Sequence, residues 1–126
     1  METEVDCKQW RIHYDSDIRA VRAQALPSLR GSDLPKFCED VQQFARRLQC
    51  GRIMVDYSQM PEAPKSIDRA SPALSAPADE AARAAQIAFV FDQLDRDIIH
   101  AGQVLRERGF TVGVFSDEWA AVDWLN

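Results

Sequence analysis

Three features of the sequence predict an α/β fold built on a mixed sheet. Two short runs, Ile87-Ala88-Phe89-Val90-Phe91 and Phe110-Thr111-Val112-Gly113-Val114-Phe115, are almost wholly apolar. A run without polar alternation has to be shielded on both faces, as strands inside an α/β sheet are. Each run is followed by a stretch with helical spacing, and strands that alternate with helices imply parallel neighbours joined by right-handed crossovers. The expected order is ββαβαβαβα in one domain spanning residues 1–126: a five-stranded mixed sheet with flanking helices. The strands at 53–57, 87–91 and 110–115 are expected side by side as its shielded centre, with an N-terminal hairpin toward an edge.

Gln-Trp-Arg-Ile-His-Tyr at 9–14 alternates Trp10, Ile12 and Tyr14 against Arg11 and His13, the period of a half-exposed strand. Asp15-Ser16-Asp17 supplies turn residues, and 18–26 alternates again, so the two segments read as a hairpin. Ser32 or Asp33 can cap the next helix, with Pro35 in its first turn where a missing N–H costs little. Leu34, Phe37, Cys38, Val41, Phe44, Ala45 and Leu48 then recur at spacings of three and four, giving one apolar stripe over a helix at 33–49. Gly51 suits its C-terminal stop. Residues 53–57 form the third strand. The stretch 58–77 holds four of the six prolines and is expected to be irregular, with a short helix at 66–70 ended by Pro72. An Ala-rich helix at 79–85 leads into the strand at 87–91. Asp95 or Asp97 opens a helix reaching Arg108, which carries Ile98, Ala101, Gly102 and Leu105 inward, and Gly109 ends it. After the strand at 110–115, Ser116 is expected to cap a last helix at 117–124 that docks through Trp119, Trp124 and Leu125. Gly102 and Gly113 are expected to allow close packing of helix on sheet.

At 126 residues, 46% hydrophobic and 28% charged, the chain has an ordinary globular composition and enough length for a core. A net charge of −5 argues against nucleic-acid binding, which needs a clustered basic surface. Arg46-Arg47 and Arg106/Arg108 are pairs near helix ends, where cations suit the carbonyl dipole. No apolar segment approaches the roughly 20 residues of a membrane span. The acidic N-terminus has no signal-peptide character. Cys7, Cys38 and Cys50 are odd in number and far apart, which suggests neither a disulfide framework nor a zinc site. These features point to a cytoplasmic protein without metal or cofactor, and to Cys38 as a small buried hydrophobe.

Val114-Phe115-Ser116-Asp117-Glu118-Trp119-Ala120-Ala121-Val122-Asp123-Trp124-Leu125 resembles the C-terminal pattern of the SpoIIAA-like branch of the STAS superfamily (sulfate transporter and anti-sigma-factor antagonist domains). The exit Asp56-Tyr57-Ser58 resembles the end of that family's third strand, and the element order agrees over the whole chain. The resemblance implies a SpoIIAA-like sandwich and a non-catalytic regulatory or protein-interaction module, including self-association as a homodimer. Phospho-switching members carry an Asp-Ser pair at the start of the helix after that strand. The corresponding positions here are Pro64 and Lys65, with Ser66 one place later, so the pair is not intact. Ser66 is a phosphoacceptor only after a one-residue shift, and helix capping is its simpler role. Phosphorylation there would add about −1.5 to −2 charges at a helix start and could repel an acidic partner. The partner surface implied is the 58–76 segment with the adjoining helix starts.

Asp56, Asp92 and Ser116 should project beyond the carboxyl ends of their strands, where open α/β sheets place ligands. Two carboxylates there could serve a cation or a proton transfer, which makes an enzyme using Asp56 one reading and turn capping the plainer one. A response-regulator receiver is excluded: the first strand runs into a hairpin turn, and Ser-Asp-Glu, not lysine, follows the last. His13 and His100 read as outward-facing, and no nucleophile elbow or phosphate-binding glycine motif occurs. Tyr57, Met60, Phe89, Phe91 and the two tryptophans of the last helix could line an apolar pocket. A carrier of a small apolar or acyl ligand, of the CRAL-TRIO kind, is therefore the alternative to the interaction module, with core packing as the simpler explanation of the same residues.

Overall fold

The computed structural model describes residues 4–60 and 84–126. They form one six-stranded sheet whose spatial order follows the chain, β1-β2-β3-β4-β5-β6. The strands are β1 (Glu4–Asp6), β2 (Trp10–Asp15), β3 (Ala20–Ala25), β4 (Arg52–Asp56), β5 (Gln86–Val90) and β6 (Thr111–Phe115). Helices α1 (Leu34–Arg47), α2 (Arg96–Glu107) and α3 (Glu118–Leu125) pack on it. β2 runs antiparallel to both β1 and β3, and β3 through β6 are parallel. The expected hairpin is β2–β3, and the α/β class with a mixed sheet holds.

Two expectations about the sheet need correction. It has six strands rather than five, because Glu4–Asp6 adds an outer strand to the hairpin. Only Val5 of that strand packs against the core, so three residues with two carboxylates leave no readable period. The strand at 110–115 is not central: β6 pairs with β5 alone and forms the sheet margin among the described residues. It reads as an interior strand because helices cover both of its faces. An apolar run reports how many faces are buried, not whether both edges are paired.

Side-chain alternation divides the core in two. Ile12, Val21, Ala23, Ile53, Val55, Ile87, Phe89 and Val112 face one way and meet Phe37, Val41 and Phe44 of α1 and Ile98 and Leu105 of α2. Right-handed crossovers between sequential neighbours place α1 and α2 on this same face. Ala20, Met54, Ala88 and Val90 face the other way and meet Ala121 and Leu125 of α3. Small residues on that second face let a two-turn helix lie close. Gly102 and Gly113 act as expected: a Cβ on Gly102 would come 3.3 Å from Val114 of β6, and one on Gly113 would come 3.3 Å from Trp124 of α3 and 2.8 Å from the Phe115 ring of its own strand.

The helix ends follow local chemistry. Asp95 opens α2 by accepting the Ile98 N–H at 2.8 Å. Asp117, not Ser116, caps α3, accepting the Ala120 N–H at 2.8 Å. Asp33 stands at the start of α1, where its carboxylate takes the Arg30 N–H at 3.0 Å, and Pro35 falls in the first turn. Gly109 ends α2 at φ 94, with the Phe110 N–H on Leu105 O. The same pair of return bonds ends α1, but the left-handed residue is Gln49 (φ 52), with Cys50 N–H on Ala45 O and Gln49 N–H on Arg46 O. Gly51 lies two residues beyond the stop expected of it. The 66–70 helix lies outside the described residues, as does the 79–85 helix apart from the helical Ala84 and the following Ala85.

Replacing Gln49 with glycine removes the left-handed strain and should stabilise the protein by about 0.5–1 kcal/mol in urea unfolding. Gly113→Ala should cost about 1–2 kcal/mol, because the clash with Phe115 outweighs the smaller loss of chain freedom. Equal stability of Gly113→Ala and the parent would contradict the packing described.

Candidate functional site

The residues expected beyond the strand ends do share one end of the sheet. Asp56 pairs in register with Val90 and Val90 with Phe115, so Asp56, Asp92 and Ser116 all belong to that end. Asp56 Oδ1 accepts both the Ser58 N–H (2.8 Å) and the Ser58 hydroxyl (2.6 Å), a local turn that engages one oxygen of the carboxylate. Asp92 and Ser116 are exposed. Ligand crevices in open α/β sheets form where strand order reverses. Here β3 to β6 follow one another without reversal, and no reversal point exists among them. No group of three or more His, Cys, Asp or Glu that could hold a metal occurs among the described residues. Ser66 lies outside them.

Tyr57 leaves that end and enters the core. Its ring contacts Phe37 (5.9 Å between centroids), Phe89 (6.3 Å) and Phe91 (5.6 Å), and Trp10 extends the layer through Phe37 at 5.6 Å. Met60 packs at the border of the same cluster. The Tyr57 hydroxyl shares a hydrogen bond with the Cys38 thiol. Burial pushes Cys38 up to about 12, against the smaller lowering effect of that bond. Tyr57 is held well above its ordinary value by burial first, then by the Cys38 charge and the shared bond. Both groups stay protonated at neutral pH.

The apolar pocket suggested by the sequence is not assembled as expected. Tyr57, Phe89 and Phe91 lie on the α1/α2 face, whereas Trp124 packs on Phe115 (5.7 Å) on the α3 face, with the sheet between them. Trp119 lines neither face: it is 80% exposed. At about 100° per residue it stands about 200° from the inward-facing Ala121, on the opposite side of α3. The helix docks through Ala121, Trp124 and Leu125 without it.

Beside Trp119, α3 is tied to the hairpin by an arginine not singled out in the sequence. Arg22 of β3 bonds Asp15 at the end of β2 (3.0 Å) and the Glu118 carboxylate in the first turn of α3. Asp15 also accepts the Asp17 N–H at 2.9 Å. Burial raises the Asp15 carboxyl, but the Arg22 hydrogen bond, the Asp17 N–H and the Arg22 charge together outweigh it and hold Asp15 below its ordinary 3.8. An outward arginine on an alternating strand carries no sign of its partners in the sequence, since Glu118 lies 96 positions away. His13 is half-buried on the hairpin and His100 is exposed on α2. All three cysteines are free. No helix among the described residues is long and apolar enough to cross a membrane.

No family model, curated protein or solved structure matches this chain.

With a neutral alkylating reagent at pH 8, Cys7 and Cys50 should react in the native state while Cys38 reacts only on unfolding, read by mass spectrometry of digests. Because the folded-state value of Asp15 is depressed, its stabilising contribution is present above pH 3.8 and is lost as pH falls through the lower folded value. Urea midpoints measured from pH 7 to pH 2 should therefore show a smaller acid-side loss in Asp15→Asn than in the parent, from a lower starting stability.

Proposed function

We propose that the chain is a non-catalytic regulatory or protein-interaction module of STAS-like type, which docks a protein partner or a second copy through the first turn of α3. The observation that carries this reading is Trp119. A tryptophan 80% exposed on a helix that already has its inward anchors has no part in the fold. Tryptophan is the side chain most enriched among residues that dominate binding energy. The Arg22–Glu118 pair fixes the preceding residue to β3, so the indole is presented from an anchored turn rather than a free end. Preorganisation of this kind lowers the entropy lost on docking. The further part of the expected partner surface, beyond Met60, lies outside the described residues.

The readings as an acyl-chain carrier or an Asp56 enzyme have less support. The aromatic side chains that would hold an acyl chain contact one another, and Asp56 is engaged by Ser58.

The test compares the parent with Trp119→Asp by sedimentation equilibrium over a broad concentration range and by cross-linking in the source lysate. The variant should keep its thermal midpoint within about 2 °C, as expected for an exposed site. The parent should form a dimer or a discrete cross-linked complex that the variant loses. Identical association behaviour of the two proteins would contradict the reading.

A further inference from the structure

At the end of the sheet opposite Asp56, a cleft of about 610 Å³ opens between the β2–β3 turn and the α1–β4 connection. Its lining includes Tyr14, Arg19, Gln49, Cys50, Arg52 and Gln86. It shares no residue with the Trp119 surface, and nothing in the interaction reading requires it.

Three observations bear on it. First, the lining among the described residues holds two arginines and no acidic residue, in a chain of net charge −5. Arg11 and Arg22 elsewhere on the sheet are paired with carboxylates, whereas neither Arg19 nor Arg52 forms an ion pair among the described residues. Second, the two non-glycine residues with positive φ among the described residues are Arg19 (φ 53) and Gln49 (φ 52), and both line this cleft. Glycine would hold either backbone with less strain. Each position instead carries a long side chain with hydrogen-bond donors. Third, the walls are anchored. Arg52 and Gln86 face each other in the β4–β5 register, Gln86 Nε2 donates to Trp124 O at 3.0 Å, and the Cys50 thiol donates to Arg52 O at 3.3 Å. Tyr14, 39% exposed, supplies an aromatic surface on one side.

We infer that the cleft binds a small phosphomonoester, with its phosphate between Arg19 and Arg52 and its organic group against the Tyr14 ring. Paired guanidinium forks match the oxygens of a phosphate, whose charge near neutral pH is about −1.5 to −2.

The probes are phenyl phosphate, inorganic phosphate and benzoate, titrated at constant ionic strength by calorimetry and by two-dimensional NMR of arginine Nε–H groups. Phenyl phosphate should bind saturably with 1:1 stoichiometry, more tightly than inorganic phosphate and at least about tenfold more tightly than benzoate. It should also slow alkylation of Cys50 by a neutral reagent. Arg19→Gln and Arg52→Gln should each weaken binding about tenfold or more, and Arg96→Gln, which removes the same charge on α2, should not. Gln49→Gly should weaken binding while making the protein more stable, a combination that misfolding cannot produce. Absence of saturable binding, equal binding in Arg96→Gln and Arg52→Gln, or benzoate binding as tightly as phenyl phosphate would overturn the assignment. None of these outcomes bears on association through Trp119.

Discussion

Ile87 and Phe89 project from one side of β5, Ala88 and Val90 from the other, and all four are almost fully buried. That double burial is the constraint on which the rest of the structure depends. A strand shielded on both sides needs a layer of helix above and below. The chain supplies large side chains from α1 and α2 on one side and a short helix over small residues on the other. The aromatic layer from Trp10 to Phe91 fills the wider gap, and Tyr57 sits within it although its hydroxyl must be satisfied there. The Cys38 thiol meets that need, which gives a buried cysteine a packing role and a polar one together. The narrower gap is lined by Ala88, Gly113 and Ala121, and a methyl group added at Gly113 would meet the Phe115 ring and Trp124 of α3.

Much of this architecture was legible in the sequence, and the failures have physical causes. The α1 stripe, the β2–β3 hairpin and the parallel run from β4 to β6 follow from periodicity, because burial on one or two faces writes a period of 3.6 or 2, or none at all. Edges write nothing comparable. The placement of β6 at the margin was therefore not readable, and neither was a three-residue β1 with a single inward side chain. The stop of α1 misled for a different reason: the return bonds to Ala45 and Arg46 specify a left-handed residue, and Gln49 fills that place where a glycine two positions later drew attention. The size of Trp119 suggests docking, whereas its angular distance from Ala121 and Leu125 along α3 places it outside.

Chemistry was less readable than fold. Asp56 at the end of a buried strand is as conspicuous in sequence as a catalytic carboxylate would be, yet its partner is the hydroxyl two residues later. Strand order bears on such a case, since a sheet that adds each strand beside the last has no reversal point among β3 to β6, and strand order is not local information. The pairing of Arg22 with Asp15 and Glu118 depends on the same topology: α3 crosses back over the sheet toward β3, bringing together groups from both ends of the chain. The consequence is a division of labour between surfaces. One sheet end has the Asp56–Ser58 turn, the other carries arginines that form no ion pair among the described residues together with left-handed backbone at Arg19 and Gln49, and α3 turns its largest side chain outward.

The central claim is that β5 is the doubly shielded axis of the domain, and amide hydrogen exchange resolved by NMR tests it most directly. The account predicts that the amides of Ala88, Phe89 and Val90 exchange only through global unfolding, with protection matching the full unfolding free energy, while those of Glu4–Asp6 exchange orders of magnitude faster. Exchange of the β5 amides through local opening, at rates comparable to β1, would contradict it.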